Sequence, residues 1–287
     1  MIDRAEIRYA LELMDVRPGG VLLVHSALSS IGRVEGGADA VVDALLDAVG
    51  PEGTIVMSTL TGWSAPFDPD RTPSAVGLIS ERFRRRPEAL RSRHPVHSVA
   101  AIGRRAAEVV RGHEDCATGC GKGTPYETLI RLGAKVLLLG VDLDRNTMMH
   151  TLEELAGAPY LLRLDIPAPT WWPPERGDRF PLRKFPPGHR DFLSLTPRLR
   201  AEGALVEGRI GRAVVKVLDL PKFVEVGLAA LAEDPSAFLC HNPACAFCRW
   251  ARLAAAGGPV DLAPFRGHGC GDPTCEICRV EENRIDG

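Results

Sequence analysis

The chain has 287 residues, a formal net charge of −2 and 45% hydrophobic residues, enough for one large domain or two smaller ones with a substantial core. It lacks the basic excess of a nucleic-acid binder, and no apolar run reaches the roughly 18 residues that a membrane span needs. Met1-Ile-Asp-Arg-Ala-Glu-Ile7 is charged, with no signal-peptide apolar region, so a cytoplasmic protein with no membrane or nucleic-acid partner is expected.

Ile7, Ala10, Leu11 and Met14 give residues 3–14 a helical period, which Pro18-Gly19-Gly20 breaks. Val21 to Val24 reads as a short buried strand. Gly36-Gly37 then opens a helix from Ala38 to Val49, stopped at Gly50-Pro51. Thr54 to Met57 is the next strand. Helices are predicted over residues 78–86, 103–111 and 125–132, with strands at 99–102 and 136–141. The alternation implies an α/β sandwich around a central mixed sheet and leaves the strand order open. Residues 165–198 hold many prolines and Trp171-Trp172 and read as a long functional loop. Val206 to Lys216 reads as a hairpin edge and Leu220 to Leu231 as a closing helix. A main domain over residues 1–235 and a cysteine-rich extension over 236–287 are expected.

The extension repeats itself. Cys240-His-Asn-Pro-Ala-Cys245-Ala-Phe-Cys248-Arg is answered by Cys270-Gly-Asp-Pro-Thr-Cys275-Glu-Ile-Cys278-Arg. A Cys-x2-Cys turn grips one ion with two thiolates, and Zn2+ prefers four such ligands. The simplest reading puts one structural zinc on Cys245, Cys248, Cys275 and Cys278. Cys240 and Cys270, with His241 or His268, are left for a second site. An iron–sulfur cluster is the alternative. Cys116 and Cys120 read as ordinary thiols.

The strand ending at Val141 empties into Asp142-Leu-Asp-Arg-Asn-Thr-Met-Met-His-Thr-Leu-Glu-Glu154. Thr147, His150 and Glu153 recur at a spacing of three, which on a helix is one face. A hydroxyl, an imidazole and a carboxylate together suit proton transfer. The plainer alternative makes Asn146 or Thr147 an N-cap, with Asp142 and Asp144 facing the helix dipole.

Three further segments belong with this one. Leu22-Leu-Val-His-Ser-Ala-Leu-Ser-Ser-Ile-Gly32, followed by Glu35-Gly-Gly37, sets hydroxyls and free amides beyond a strand. Such a turn can hold phosphate or a pantetheine amide. Its glycine spacing excludes a Walker A loop and a Rossmann fingerprint. Pro66-Phe-Asp-Pro-Asp-Arg-Thr-Pro73 leads to Gly77, and Leu90-Arg-Ser-Arg-His-Pro-Val-His-Ser98 precedes a strand. Gly123-Thr-Pro-Tyr-Glu-Thr-Leu129 then leads to the His150 block.

In that order and spacing the segments resemble the aminoglycoside 3-N-acetyltransferase family over roughly residues 5–235. The resemblance implies an α/β sandwich, acetyl-CoA as cosubstrate and a small-molecule amine as acceptor. It makes His150 the catalytic base, Glu153 the carboxylate beside it and Thr147 the threonine near the oxyanion. It assigns Ser26, Leu28, Ser29 and Ser30 to the loop that holds CoA, and Arg71, Thr72, His97 and Ser98 to positions near the cofactor. A His97–Ser98 nucleophile pair is the alternative to direct transfer.

Two features depart from the family. One is the cysteine extension. The other is the stretch over residues 171–192, where Arg176, Arg179, Arg183, Lys184 and Arg190 outnumber Glu175, Asp178 and Asp191. A polycationic aminoglycoside should meet an acidic groove, so a basic loop speaks for another amine unless its charges face solvent. Asp142, Asp144 and Glu154 offer negative charge near His150. The competing readings are a biosynthetic N-acyltransferase and a zinc-bearing binding module on an inactive scaffold. The oligomeric state, monomer or homodimer, stays open.

Overall fold

The computed structural model describes residues 1–61, 67–116, 118–185 and 190–257. In chain order the elements are α1 (Arg4–Leu13), β1 (Val21–Ser26), α2 (Leu28–Ile31), α3 (Gly37–Val49), β2 (Thr54–Ser58), α4 (Leu78–Arg84), β3 (Leu90–Arg91), β4 (Val99–Gly103) and α5 (Ala106–Val110). There follow α6 (Pro125–Arg131), β5 (Lys135–Leu139), α7 (Met148–Leu155), β6 (Leu162–Pro167), β7 (Arg179–Phe185), α8 (Thr196–Ala201), β8 (Leu205–Ile210), β9 (Ala213–Asp219), α9 (Leu220–Glu233) and α10 (Ala246–Ala255).

Seven strands form one mixed sheet in the order β3-β4-β2-β1-β5-β9-β8. β1 runs parallel to both β2 and β5, while β4, β9 and β8 add antiparallel edges. Side chains alternate across the sheet with period two. Leu22, Val24, Ile55, Met57, Leu137 and Leu139 enter one core with α1 and α3. Leu23, Val56, Val136 and Leu138 enter a second, with α6, α7 and α9. Two covered faces explain why the central strands read as continuous apolar runs. Local sequence sets the helix starts as well. Asp3 and Glu6 form a reciprocal capping box at α1, and Asp219 accepts from the Lys222 amide at α9. Among the described residues no helix is long and apolar enough to cross a membrane.

Two sequence expectations are corrected. Residues 103–105 are not helical: Gly103, at φ 126°, completes β4 opposite Thr54, and the helix starts at Ala106. Residues 165–198 are not one long loop, because β6 and β7 form a two-stranded antiparallel sheet and α8 follows. Prolines at 167 and 181 obscured the strands. They fit there because each strand of a two-stranded sheet has an open edge that needs no amide donor.

The topology also gathers the motifs. The carboxyl ends of β1, β2 and β5 and the amino end of β4 lie on one edge of the sheet. Residues 26–30, 58–61, 97–98 and 140–150 therefore leave the sheet together. In α/β proteins that edge is where ligands bind.

Candidate functional site

α7 begins beyond β5 and delivers His150 and Glu153 to this edge. Its start is capped by Asn146, whose Oδ1 accepts from the Met148 amide at 3.1 Å. The Thr147 hydroxyl makes no capping bond. His150 Nδ1 and Glu153 Oε2 are 2.8 Å apart, as their spacing on one helix face predicts. The His150 side chain is 18% exposed, while Glu153 is fully buried. With Nδ1–H donated to the carboxylate, Nε2 holds the free lone pair. Phe192 meets the imidazole edge-on at 5.1 Å.

Glu153 has a second partner that the sequence reading misplaced. Arg190 Nε donates to Glu153 Oε1, and the Arg190 side chain is 3% exposed. Burial pushes the Glu153 carboxyl upward, but Arg190 and His150 outweigh it and hold the group below its ordinary range. Arg190 is thus an interior cation rather than part of a basic acceptor loop, and its removal from the surface cuts that loop's basic excess. Arg176 and Arg179 are exposed, alongside exposed Glu175 and Asp178. The acidic groups expected to attract an amine are also partly spent. Asp142 pairs with Lys216 at 2.6 Å, Asp144 lies 3.3 Å from Arg145, and Glu154 is buried.

A string of hydroxyls lies under the helix start. Ser58 Oγ is 3.4 Å from Thr147 Oγ1 and 3.3 Å from Tyr126 OH, which donates to the His97 carbonyl at 3.4 Å. Asn146 Nδ2 is buried with no hydrogen-bond partner among the described residues. Sequence reasoning named Asn146 only as a possible cap, which it is, and Arg190 only as a loop charge, and it gave Ser58 and Tyr126 no role. Of these, only the position of Asn146, just before an apolar helix face, carried a local signal.

The proposed cofactor positions flank the same edge. Ser26 ends β1, and α2 holds Leu28, Ser29 and Ser30. Ser30 Oγ donates to the Gly140 carbonyl at 2.9 Å, fastening this turn to the end of β5. Arg71 is exposed, and the Thr72 hydroxyl accepts from the Asp68 amide at 2.8 Å. Arg91 ties that loop to the sheet, donating to the carbonyls of Pro69 (3.1 Å), Thr72 (2.5 Å) and Thr59 (2.9 Å), and to Ser98 Oγ (3.2 Å). Ser98 Oγ also donates to the Thr59 carbonyl at 2.8 Å, so its hydroxyl is committed to scaffold bonds rather than poised as a nucleophile. His97 is buried 5.9 Å from His94, which stacks on His113 at 4.6 Å. Burial, then the charges of His150 and His113, lowers His97 to about 3.

Cys240, Cys245 and Cys248 converge below this site. Their sulfurs lie within 4.8 Å of one another and are buried. The sequence reading set Cys240 apart for a second ion, and the geometry instead puts it with Cys245 and Cys248. His241 is exposed and is not in this group. Cys270, Cys275, Cys278 and His268 lie outside the described residues. Cys116 Sγ donates to the Gly112 carbonyl at 3.3 Å and Cys120 is buried, as ordinary thiols are.

Comparison with known proteins follows the same lines. The family model described as aminoglycoside 3-N-acetyltransferase matches residues 23–232. An aminoglycoside N(3)-acetyltransferase III from Acinetobacter baumannii is 38% identical over 181 residues, which span 55% of this chain and 63% of that relative's length. An aminoglycoside N(3)-acetyltransferase IV from Salmonella is 33% identical over 256 residues, 84% of this chain and 91% of the relative. Among solved structures, a histidine-to-alanine mutant of aminoglycoside acetyltransferase AAC(3)-IVa in complex with a gentamicin superposes with a TM-score of 0.80. It is 30% identical, and the match covers 88% of this chain and 97% of that one. The binary complex of AAC-IIIb with CoASH superposes with a TM-score of 0.73 at 27% identity, covering 80% and 96%.

Proposed function

The chain belongs to the aminoglycoside 3-N-acetyltransferase family, and from that premise we propose that it moves acetyl from acetyl-CoA to an amino group of an aminoglycoside or aminoglycoside-like acceptor. The observation that carries this reading is the 2.8 Å contact of His150 Nδ1 with buried Glu153, at the ligand-binding edge of the sheet.

The chemistry follows from these groups. An amine is mostly ammonium at neutral pH and must lose a proton to attack. Once the ammonium has released one proton to solvent, the neutral amine nitrogen bonds to the thioester carbon while His150 Nε2 takes a second N–H proton. Glu153 stabilises the imidazolium that forms, as the acid does in a triad. Thr147 Oγ1 or Asn146 Nδ2 faces the oxyanion, a role that contributes about 3 kcal/mol per donor in other enzymes. Collapse breaks the C–S bond, and the imidazolium returns its proton to the departing CoA sulfur. Ser26, Leu28, Ser29, Ser30, Arg71, Thr72, His97 and Ser98 line the CoA side. His97 and Ser98 act there by fixing the edge, since both are buried.

Zinc belongs to the same reading. Three thiols within 4.8 Å suit a tetrahedral thiolate site, and a fourth ligand would come from Cys270, Cys275 or Cys278. Burial pushes the Cys245 and Cys248 thiols up, so a divalent ion would displace protons that otherwise stay bound. We assign the transferase to residues 1–235 and the zinc-binding extension to 236–287. Phe238 of the extension is built into the second core.

The test is CoA release with acetyl-CoA across aminoglycosides and small amines. His150→Ala should lose roughly 10²–10⁴-fold in turnover while still binding acetyl-CoA. A His150→Ala chain with full turnover would exclude this base. Elemental analysis checks the extension: metal-free protein with disulfides would sink the zinc site.

A further inference from the structure

The buried carboxylate of Glu153 connects two parts of the molecule. One oxygen meets His150, and the other accepts from Arg190. The Arg190 guanidinium lies 5.0 Å from the ring centroid of Tyr160 and 5.0 Å from that of Phe247. Phe247 sits on the first turn of α10, whose N-cap is Cys245, and is followed by Cys248. Tyr160, Phe247, Cys240, Cys245 and Cys248 share one small apolar cluster. The backbone adds a second tie, since the amide of Asp191 donates to the Phe238 carbonyl at 2.8 Å, two residues before Cys240.

We infer that Arg190 is a positioning residue for the His150–Glu153 pair, and that the cysteine cluster, through Phe247, sets Arg190, so that the extension controls the proton-transfer centre. The physical reason lies in burial and shape. A carboxylate with no solvent needs a partner on each oxygen, or it carries a large desolvation penalty. Arg supplies a planar cation that can donate to Glu153 while lying against aromatic faces; Lys matches the charge but not the plane. Phe247 can hold that plane only if the first turn of α10 is fixed. The turn belongs to a ten-residue helix with a small core, and its own cysteines face one another across the cluster. Loosening the cluster should therefore tilt the guanidinium, then the carboxylate, then the imidazole. The sheet and the CoA side would stay as they are.

The kinetic arm rests on the proposed transferase reading, and the stability arm does not. Full-length, metal-replete protein carries Phe247→Leu, Cys248→Ser, Arg190→Lys or Arg190→Met. Phe247→Leu and Cys248→Ser should each lower kcat about 10- to 100-fold, the scale of a misplaced catalytic group, with KM for acetyl-CoA unchanged. Arg190→Lys should recover part of what Arg190→Met loses. An unchanged kcat in Phe247→Leu or Cys248→Ser, or a rise in KM for acetyl-CoA as large as the fall in kcat, overturns the coupling. Independently, urea midpoints of Glu153→Gln, Phe247→Leu and the double variant close a cycle. Non-additive midpoints support the link even if no acceptor is acetylated, in which case the transferase reading alone fails. Additive midpoints overturn the link whatever the activity.

Discussion

The carboxylate of Glu153 meets the Arg190 guanidinium on one oxygen and the His150 imidazole on the other, and both sides of that arrangement can be tested. In Glu153→Ala, Arg190 remains as a buried charge without its carboxylate. A cost of about 3–5 kcal/mol is expected, the range for breaking one side of a buried pair, read as a shift in urea unfolding. Glu153→Gln keeps the volume and removes the charge. It should be better tolerated in stability yet still lose turnover, because an amide cannot balance an imidazolium. The sign of its pH dependence follows from the depressed carboxyl. Its contribution is full above the unfolded value of 4.5 and is lost as pH falls through the lower folded value. His150 and Glu153 were legible in the sequence because a helix converts a spacing of three into contact. Arg190 was not. It lies 37 residues from Glu153 in a stretch rich in surface-type charges, and nothing local separates an interior arginine from an exposed one. Ser58 and Tyr126 were hidden for a related reason: in an apolar strand or helix a single hydroxyl reads as core.

Elements place these residues, and two of the devices that hold them can be removed singly. Asn146 caps α7 through Met148, so Asn146→Ala should cost about 1 kcal/mol, measurable by thermal unfolding. Arg91 fastens the loop from Pro69 to Thr72 onto Thr59 and Ser98, with the Phe67 ring 4.9 Å from its guanidinium. Lys cannot reproduce several directed donors at once. Arg91→Lys should raise the dissociation constant for acetyl-CoA roughly tenfold or more, as loss of about 1–3 kcal/mol of charged hydrogen bonding implies. Calorimetric titration would read it, and an unchanged constant would place the loop away from the cofactor. Most strands and helices could be read from apolar period and glycine punctuation, to within a residue or two at many ends. The order of the strands could not. β5 pairs with β1 across more than a hundred residues, and no local pattern encodes that partner. β6 and β7 escaped because proline, the usual sign against a strand, is tolerated on their open edges.

At the scale of the whole molecule, the structure buries an unusual set of neutral imidazoles behind the site. Burial lowers His25 to about 4 and His113 to about 4, and His97 to about 3 with help from neighbouring charge. His94 is also lowered, by burial first and then by His113 and His97. Each group has a folded value below its unfolded 6.5. The unfolded chain therefore binds protons first as pH falls. Stability should be level above pH 7 and decline from about 6.5 toward 4, with a slope near 1.4 kcal/mol per pH unit for each histidine. Carboxylates such as Glu153 contribute only lower down, so this window belongs to the histidines. His25 isolates the effect, because it stands on β1 away from the other three and its Nε2 has no partner among the described residues. His25→Leu should flatten the decline by about one proton's worth between pH 6.5 and 4.5, while leaving the carboxylate transition below it. Urea unfolding at half-unit steps in pH measures the slope directly. A slope identical to that of the parent chain would mean that His25 already carries its proton in the folded state, which a buried imidazole whose Nε2 has no partner among the described residues cannot do at modest cost.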